Sequence, residues 1–176
     1  MSTQASLMTV EEFLKLPDPP GGYYELRHGE AVLVTYPKRG DQRRQKRIDV
    51  LLTRLVGAKG EVRSEYAFQP TPEYNLWAAD IAYVRADREY AVGDDEYLLG
   101  APDLVIEVLS PSNSMDEMND RMAICLENGC VSFWVADEKR KRLSVTEGNI
   151  THHYGIDDSF HCEVLGATVH VRDIFA

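Results

Sequence analysis

One charged residue inside an apolar run constrains this chain more than any other feature. Glu107 stands in Leu104-Val-Ile-Glu-Val-Leu109, a short stretch rich in β-branched residues that reads as a strand buried on both faces. An unpaired carboxylate there costs on the order of several kcal/mol, so it must be paired, hydrogen-bonded or bound to a cation. Two accounts stand open: a buried salt bridge to an arginine such as Arg121, or a metal ligand or acid–base group at a strand end. Asp80 repeats the signal in Trp77-Ala-Ala-Asp-Ile-Ala-Tyr83, where small and apolar neighbours again predict burial. Asp103, directly after Pro102, reads instead as the residue that opens the Glu107 strand after a turn. Two carboxylates on neighbouring strands suit Mg²⁺ or Mn²⁺, hard cations that take one or two carboxylates together with waters and substrate phosphates.

The elements around these residues follow from periodicity. Thr9-Val-Glu-Glu-Phe13 has the spacing of a capped short helix, ended by Pro17, Pro19, Pro20 and Gly21-Gly22. Tyr23 to Val34 alternates around His28-Gly29 as a hairpin does. Asp41 to Val56 places Ile48, Leu51, Leu52, Leu55 and Val56 at helical spacing. Two strands follow, Glu61 to Phe68 and Leu76 to Val84, joined through Pro70-Thr-Pro72; residues 86–100 read as an acidic loop. After the Glu107 strand, Ser110 to Ser114 reads as a turn and cap, and Asp116 to Asn128 as a helix closed by Gly129. Val131 to Ala136 and Arg142 to Thr146 read as strands, and Ile150 to Ala176 as a strand-like, then irregular tail. The strand–helix–strand crossover over 104–136 requires a parallel pair. The expectation is an α/β fold: a mixed β-sheet flanked by helices, in the order helix-strand-strand-strand-helix-strand over a core of about residues 41–146, with an N-terminal helix and hairpin.

With 176 residues and 44% hydrophobic content, the chain is the size of one domain and can build a core without disulfides or structural metal. Three cysteines and no basic-then-apolar leader in Met1–Met8 predict reduced thiols in a cytoplasmic protein. No apolar stretch approaches the roughly 20 residues needed to span a bilayer, so no membrane partner is expected. The net charge of −10 opposes a polyanion at long range. Two basic runs cut against it, Lys38-Arg39 with Arg43, Arg44, Lys46 and Arg47, and Lys139 to Arg142; each is either a solvated face or a nucleic-acid contact.

The run Pro102-Asp-Leu-Val-Ile-Glu-Val-Leu-Ser-Pro-Ser112, followed by Glu127-Asn-Gly-Cys-Val-Ser-Phe-Trp-Val-Ala-Asp137, resembles the restriction-endonuclease-like Uma family of the PD-(D/E)XK nuclease superfamily. Tyr24-Glu-Leu26 with Gly29-Glu30, and the Asp80 strand, sit where such proteins carry theirs, and the resemblance covers about residues 8–150. It implies a restriction-endonuclease-like core and metal-assisted hydrolysis of phosphodiester bonds in DNA. Asp80 would be the first motif aspartate and Glu107 the acidic residue of the second motif, with the Val108 carbonyl as a further metal ligand and Glu25 as a third carboxylate. Leu109 occupies the place of the superfamily lysine; within the family that lysine lies on the following helix, where this chain has Arg121. Ala79 stands where a proline usually precedes the first aspartate. Arginine can stabilise developing negative charge but cannot serve as a base. The resemblance therefore implies a Mg²⁺-dependent endonuclease, with a homodimer suggested by analogy with enzymes that cut both strands. The alternative is a catalytically impaired nuclease-like domain acting as a nucleic-acid-binding or protein-interaction module.

Other residue types carry bland expectations. His152-His153 reads as a surface pair and His28 as a solvated turn residue; Cys125 and Cys130 read as small core hydrophobes, and Trp77 and Trp134 as core residues. Ser110 and Ser112 lack a nucleophile elbow, and Ser112 or Ser114 is expected to cap the next helix.

Overall fold

The computed structural model describes residues 7–110 and 114–176. A short helix, α1 (Val10–Phe13), carries the expected capping box between Thr9 and Glu12. It packs Val10 and Phe13 against Leu26 and Leu76. Strands β1 (Gly22–Arg27) and β2 (Glu30–Thr35) then pair antiparallel. Their two-residue turn puts both His28 (φ 49°) and Gly29 (φ 75°) in the left-handed region, and a Cβ at Gly29 would lie 2.7 Å from that of Leu7.

The long helix α2 (Arg39–Val56) begins two residues before the expected Asp41, whose carboxylate accepts a hydrogen bond from the Lys38 amide. A long hairpin follows, β3 (Gly60–Thr71) and β4 (Asn75–Arg85). Residues 86–100, expected as a loop, contain a helical turn, α3 (Ala86–Glu89), and a two-residue strand, β5 (Leu98–Leu99), parallel to β3 at Phe68 and Gln69. Strand β6 (Leu104–Val108) is buried at every position, as its composition predicted. Helix α4 (Met115–Glu127) is capped by Ser114, whose hydroxyl accepts from the Glu117 amide; the alternative cap, Ser112, lies outside the described residues. Gly129 (φ 108°) follows its end. Strands β7 (Ser132–Asp137), β8 (Arg142–Glu147) and β9 (Ile150–Gly155) complete a mixed sheet in the order β2-β1-β4-β6-β7-β8-β9, with β3 paired to β4 and β5 to β3. The β6–β7 pair is parallel, joined by the α4 crossover.

Both faces of the sheet are covered. Ile48, Leu52 and Val56 of α2 pack on Ile81, Tyr83, Leu104, Ile106 and Trp134. Met118 and Cys125 of α4 pack on Trp77, Ala79, Val105 and Phe133. Strand alternation sets Leu104, Ile106 and Val108 on the first face and Val105 with Glu107 on the second, which puts the carboxylate under α4. The tail is more than an appendage. A small hairpin, β10 (Ser159–Cys162) with β11 (Ala167–His170), and a final turn, α5 (Val171–Ile174), bury Cys162, Leu165, Val169, Val171, Ile174 and Phe175 in the α2-side core. Phe160 meets Trp134 edge-on at 5.4 Å and stacks on Tyr154 at 4.5 Å. The core therefore runs past residue 146 to the C-terminus. Isolated apolar residues spread over two short strands and one turn carry too little periodicity to announce this.

Candidate active site

Strand β6 delivers Glu107 to a position where it is only 5% exposed. No hydrogen bond from a described residue reaches its carboxylate; the one cation beside it is Arg121 of α4, whose Nε lies 3.7 Å from Oε1. That Nε is itself buried without a hydrogen-bond partner. Burial pushes the Glu107 carboxyl up to about 8, with Arg121 opposing the rise and the charges of Asp80, Glu25 and Glu65 adding to it.

Asp80 comes from β4, the strand antiparallel to β6. Its Oδ2 accepts a 2.7 Å hydrogen bond from the Val108 amide, so the residue following Glu107 fixes the Asp80 carboxylate. Its Oδ1 accepts from the side-chain amide of Gln45 at 2.9 Å. Burial raises the Asp80 carboxyl above the usual range, and the Val108 and Gln45 hydrogen bonds and the Arg121 charge oppose this. What the structure shows of Val108, expected to contribute its carbonyl, is its N–H, which holds Asp80.

Arg121 is held by more than ion pairs. Its Nη2 donates to the Ala78 carbonyl at 2.7 Å and to Glu25 Oε1 at 3.4 Å, and the guanidinium lies 5.2 Å from the Trp77 ring centroid. Burial works against its charge, but the Glu107 and Glu25 carboxylates more than offset this and raise it above the ordinary arginine range. Glu25, on β1, is 2% exposed and well satisfied: Oε2 accepts from Nε and Nη2 of Arg27, and Oε1 from the Ala78 amide as well as Arg121. The expected residues Glu25, Asp80, Glu107, Val108 and Arg121 therefore belong to one connected cluster. Among the described residues, however, no three His, Cys, Asp or Glu side chains form a ready-made metal cage.

Three further residues enter the cluster. Gln45 of α2, 4% exposed, donates through one amide nitrogen to both Asp80 and Glu65. Glu65 of β3 also accepts from the Tyr23 hydroxyl of β1 at 3.3 Å. Burial and then the Asp80 charge raise the Glu65 carboxyl. Glu65 also lines a cleft of about 710 Å³ between β3 and the 89–98 segment. Gln45 carries a signal in the sequence: it falls on the buried stripe with Ile48, Leu52 and Val56, where an amide needs a partner. Glu65 and Tyr23 carry none, because both sit in ordinary strand alternation.

The remaining candidates stay outside. His28, more than half exposed, pairs with Asp120 of α4 at 2.7 Å. His152 and His153 lie on the exposed strand β9. All three cysteines are free and buried; burial pushes the Cys130 thiol up to about 12 and that of Cys125 well above its ordinary value.

A family model described as "Putative restriction endonuclease", Uma2, matches residues 10–167. The chain belongs to the Uma2 family. That match spans every residue of the cluster described above, from Tyr23 to Arg121. The fold is also similar to the crystal structure of "a putative nuclease belonging to DUF820 from Anabaena variabilis ATCC 29413". The TM-score is 0.80 at 20% identity, with 96% of this chain and 97% of that chain covered. At this identity the likeness speaks to the fold, which is the expected mixed sheet flanked by helices. No curated protein sequence matches the chain. Among the described residues, no helix is long and apolar enough to cross a membrane.

Proposed function

We propose that this Uma2-family chain is a divalent-cation-dependent endonuclease that hydrolyses DNA phosphodiester bonds at the cluster of Asp80 and Glu107. The observation that carries this reading is Glu107, a carboxylate 5% exposed with no hydrogen bond from the described residues. A structural acid of that burial is normally satisfied by donors, whereas a cation ligand keeps its lone pairs free.

The donor chemistry fits a hard cation. Asp80 and Glu107 would hold Mg²⁺ or Mn²⁺ with the Val108 carbonyl, leaving further positions to water and phosphate oxygens. The bound cation would polarise the phosphoryl oxygen and lower the pKa of the attacking water. The chain's own contribution is positioning and charge. Val108 N–H and Gln45 fix Asp80. Glu25, Ala78 and Trp77 fix Arg121, a permanent cation suited to the negative charge that develops on the phosphate. Exposed Lys38, Arg39, Arg43 and Lys46 lie on or just before α2, the helix that carries Gln45, and offer contacts to a phosphate backbone. In the second basic run Arg140 pairs with Asp137 and Lys141 with Glu138. A homodimer would present two such sites to a duplex.

One observation favours a second reading, a nuclease-like module without turnover. Arg121 already sits beside Glu107 and is anchored on three sides, as in a structural ion pair. Incubation with DNA separates the two. Cleavage is expected only with Mg²⁺ or Mn²⁺, and should be lost in Asp80→Ala and Glu107→Ala. Retained cleavage in those variants would refute the site; metal-independent binding without cleavage would establish the second reading.

A further inference from the structure

A chain of hydrogen bonds crosses the molecule behind Asp80. The Tyr23 hydroxyl of β1 donates to Glu65 of β3, and the Gln45 amide of α2 donates both to Glu65 and to Asp80 of β4. The Val108 amide of β6 closes the chain on the other Asp80 oxygen. One neutral amide group thereby uses both its hydrogens on two carboxylates that would otherwise repel each other.

The backbone is bent to permit this. Glu65 has φ 51° in the interior of a strand, a left-handed conformation unusual for a residue with a side chain. Its neighbours keep the β3–β4 register, Ser64 opposite Ile81 and Tyr66 opposite Ala79, while Glu65, opposite Asp80, drops out of the pairing. A strained residue whose carboxylate reaches straight into a polar network is a place where fold stability yields to something else.

We propose that Gln45 and Glu65 form a positioning pair for Asp80: Glu65 orients the Gln45 amide, and the amide fixes the Asp80 carboxylate against the Val108 N–H. This assignment rests on the endonuclease reading for its catalytic consequence, but its geometric content stands apart from it. Neither residue is a ligand or base in this account. Both act through Asp80.

The Val108 amide proton is the natural reporter, because its partner is the oxygen being positioned. The test records ¹H–¹⁵N spectra and DNA-cleavage kinetics of the full chain as wild type, Gln45→Leu and Glu65→Gly. In Gln45→Leu the Val108 resonance should move upfield while amides at Leu52 and Val56, further along α2, hold their places. The kcat should fall at least tenfold with KM little changed. Glu65→Gly should melt at or above the wild-type temperature, since glycine relieves the left-handed strain, and should still shift Val108. A Val108 resonance unmoved in Gln45→Leu overturns the positioning role, whether or not the wild type cuts DNA. A shifted Val108 resonance in a protein that never cuts DNA overturns the endonuclease reading alone. A clear drop in melting temperature for Glu65→Gly would make Glu65 an ordinary structural residue and overturn its half of the pair.

Discussion

Strand β6 runs between two buried carboxylates with opposite fates. Asp103, just before its first residue, is 2% exposed, accepts a hydrogen bond from the Arg85 amide at 3.0 Å, and forms ion pairs with Arg88 Nη1 at 3.0 Å and Arg85 Nε at 3.3 Å. Glu107, near its other end, is 5% exposed and has one guanidinium nitrogen at 3.7 Å and no hydrogen bond among the described residues. Asp103 shows what the fold does with a buried acid that holds it together. It gives it a backbone donor and two counterions, arginines that reach solvent. Glu107 is treated otherwise. Its arginine is committed to the Ala78 carbonyl, and burial lifts its carboxyl to about 8. The two acids show that burial alone separates nothing; on the proposed reading it is the missing donors that single out Glu107.

The comparison can be broken from the Asp103 end. Asp103→Leu removes the acceptor for one backbone amide and the counterion of two guanidinium groups, and should cost about 3 kcal/mol in denaturant unfolding. Partial solvation of Arg85 and Arg88 keeps the loss from reaching the upper end for a broken buried pair. A loss below about 1 kcal/mol would mean that Asp103 is no structural anchor. Next in size is Arg121→Met. It deprives Glu25 and Ala78 of a donor, while Glu107, already raised to about 8, keeps its proton at neutral pH, so about 2 kcal/mol is expected.

Glu107→Gln should act in the opposite sense. The carboxyl ionises near 4.5 in the unfolded chain but only near 8 in the fold. Between those values the unfolded state holds fewer protons, so the stability of metal-free protein falls as pH rises and levels off above about 8. The Gln variant should show a shallower fall and at pH 8 be more stable by about 1 kcal/mol. An unaltered pH profile would show that Glu107 is not the group being strained.

How far the sequence revealed these two acids follows from the same physics. Asp80 and Glu107 were readable because each interrupts an apolar stretch that fixes burial, and the family resemblance paired them. The strands and α2 and α4 were readable from period, and Ser114 and Thr9 from capping chemistry. Arg121, the ion-pair partner of Glu107, was named from the sequence as well, whereas the partners of Asp103 and the Glu65 link to Gln45 were not readable. Arg85 and Arg88 lie 18 and 15 residues before Asp103, the first just past the expected end of the Asp80 strand and the second in a stretch that looked like loop. Glu65 depends on a left-handed backbone that no glycine announces. The C-terminal share of the core escaped because its apolar residues are scattered over β10, β11 and α5.

A thermal melt with and without excess Mn²⁺ tests the central claim most directly. A cation that binds only the folded state raises stability by mass action, by about 2.7 kcal/mol at a hundredfold excess over its Kd. The account predicts a clear rise in Tm for the wild type, none for Glu107→Gln, and the full rise for Asp103→Asn from its lower starting point. A wild type that Mn²⁺ leaves unmoved, or a Glu107→Gln variant that rises as far as the wild type, would contradict it.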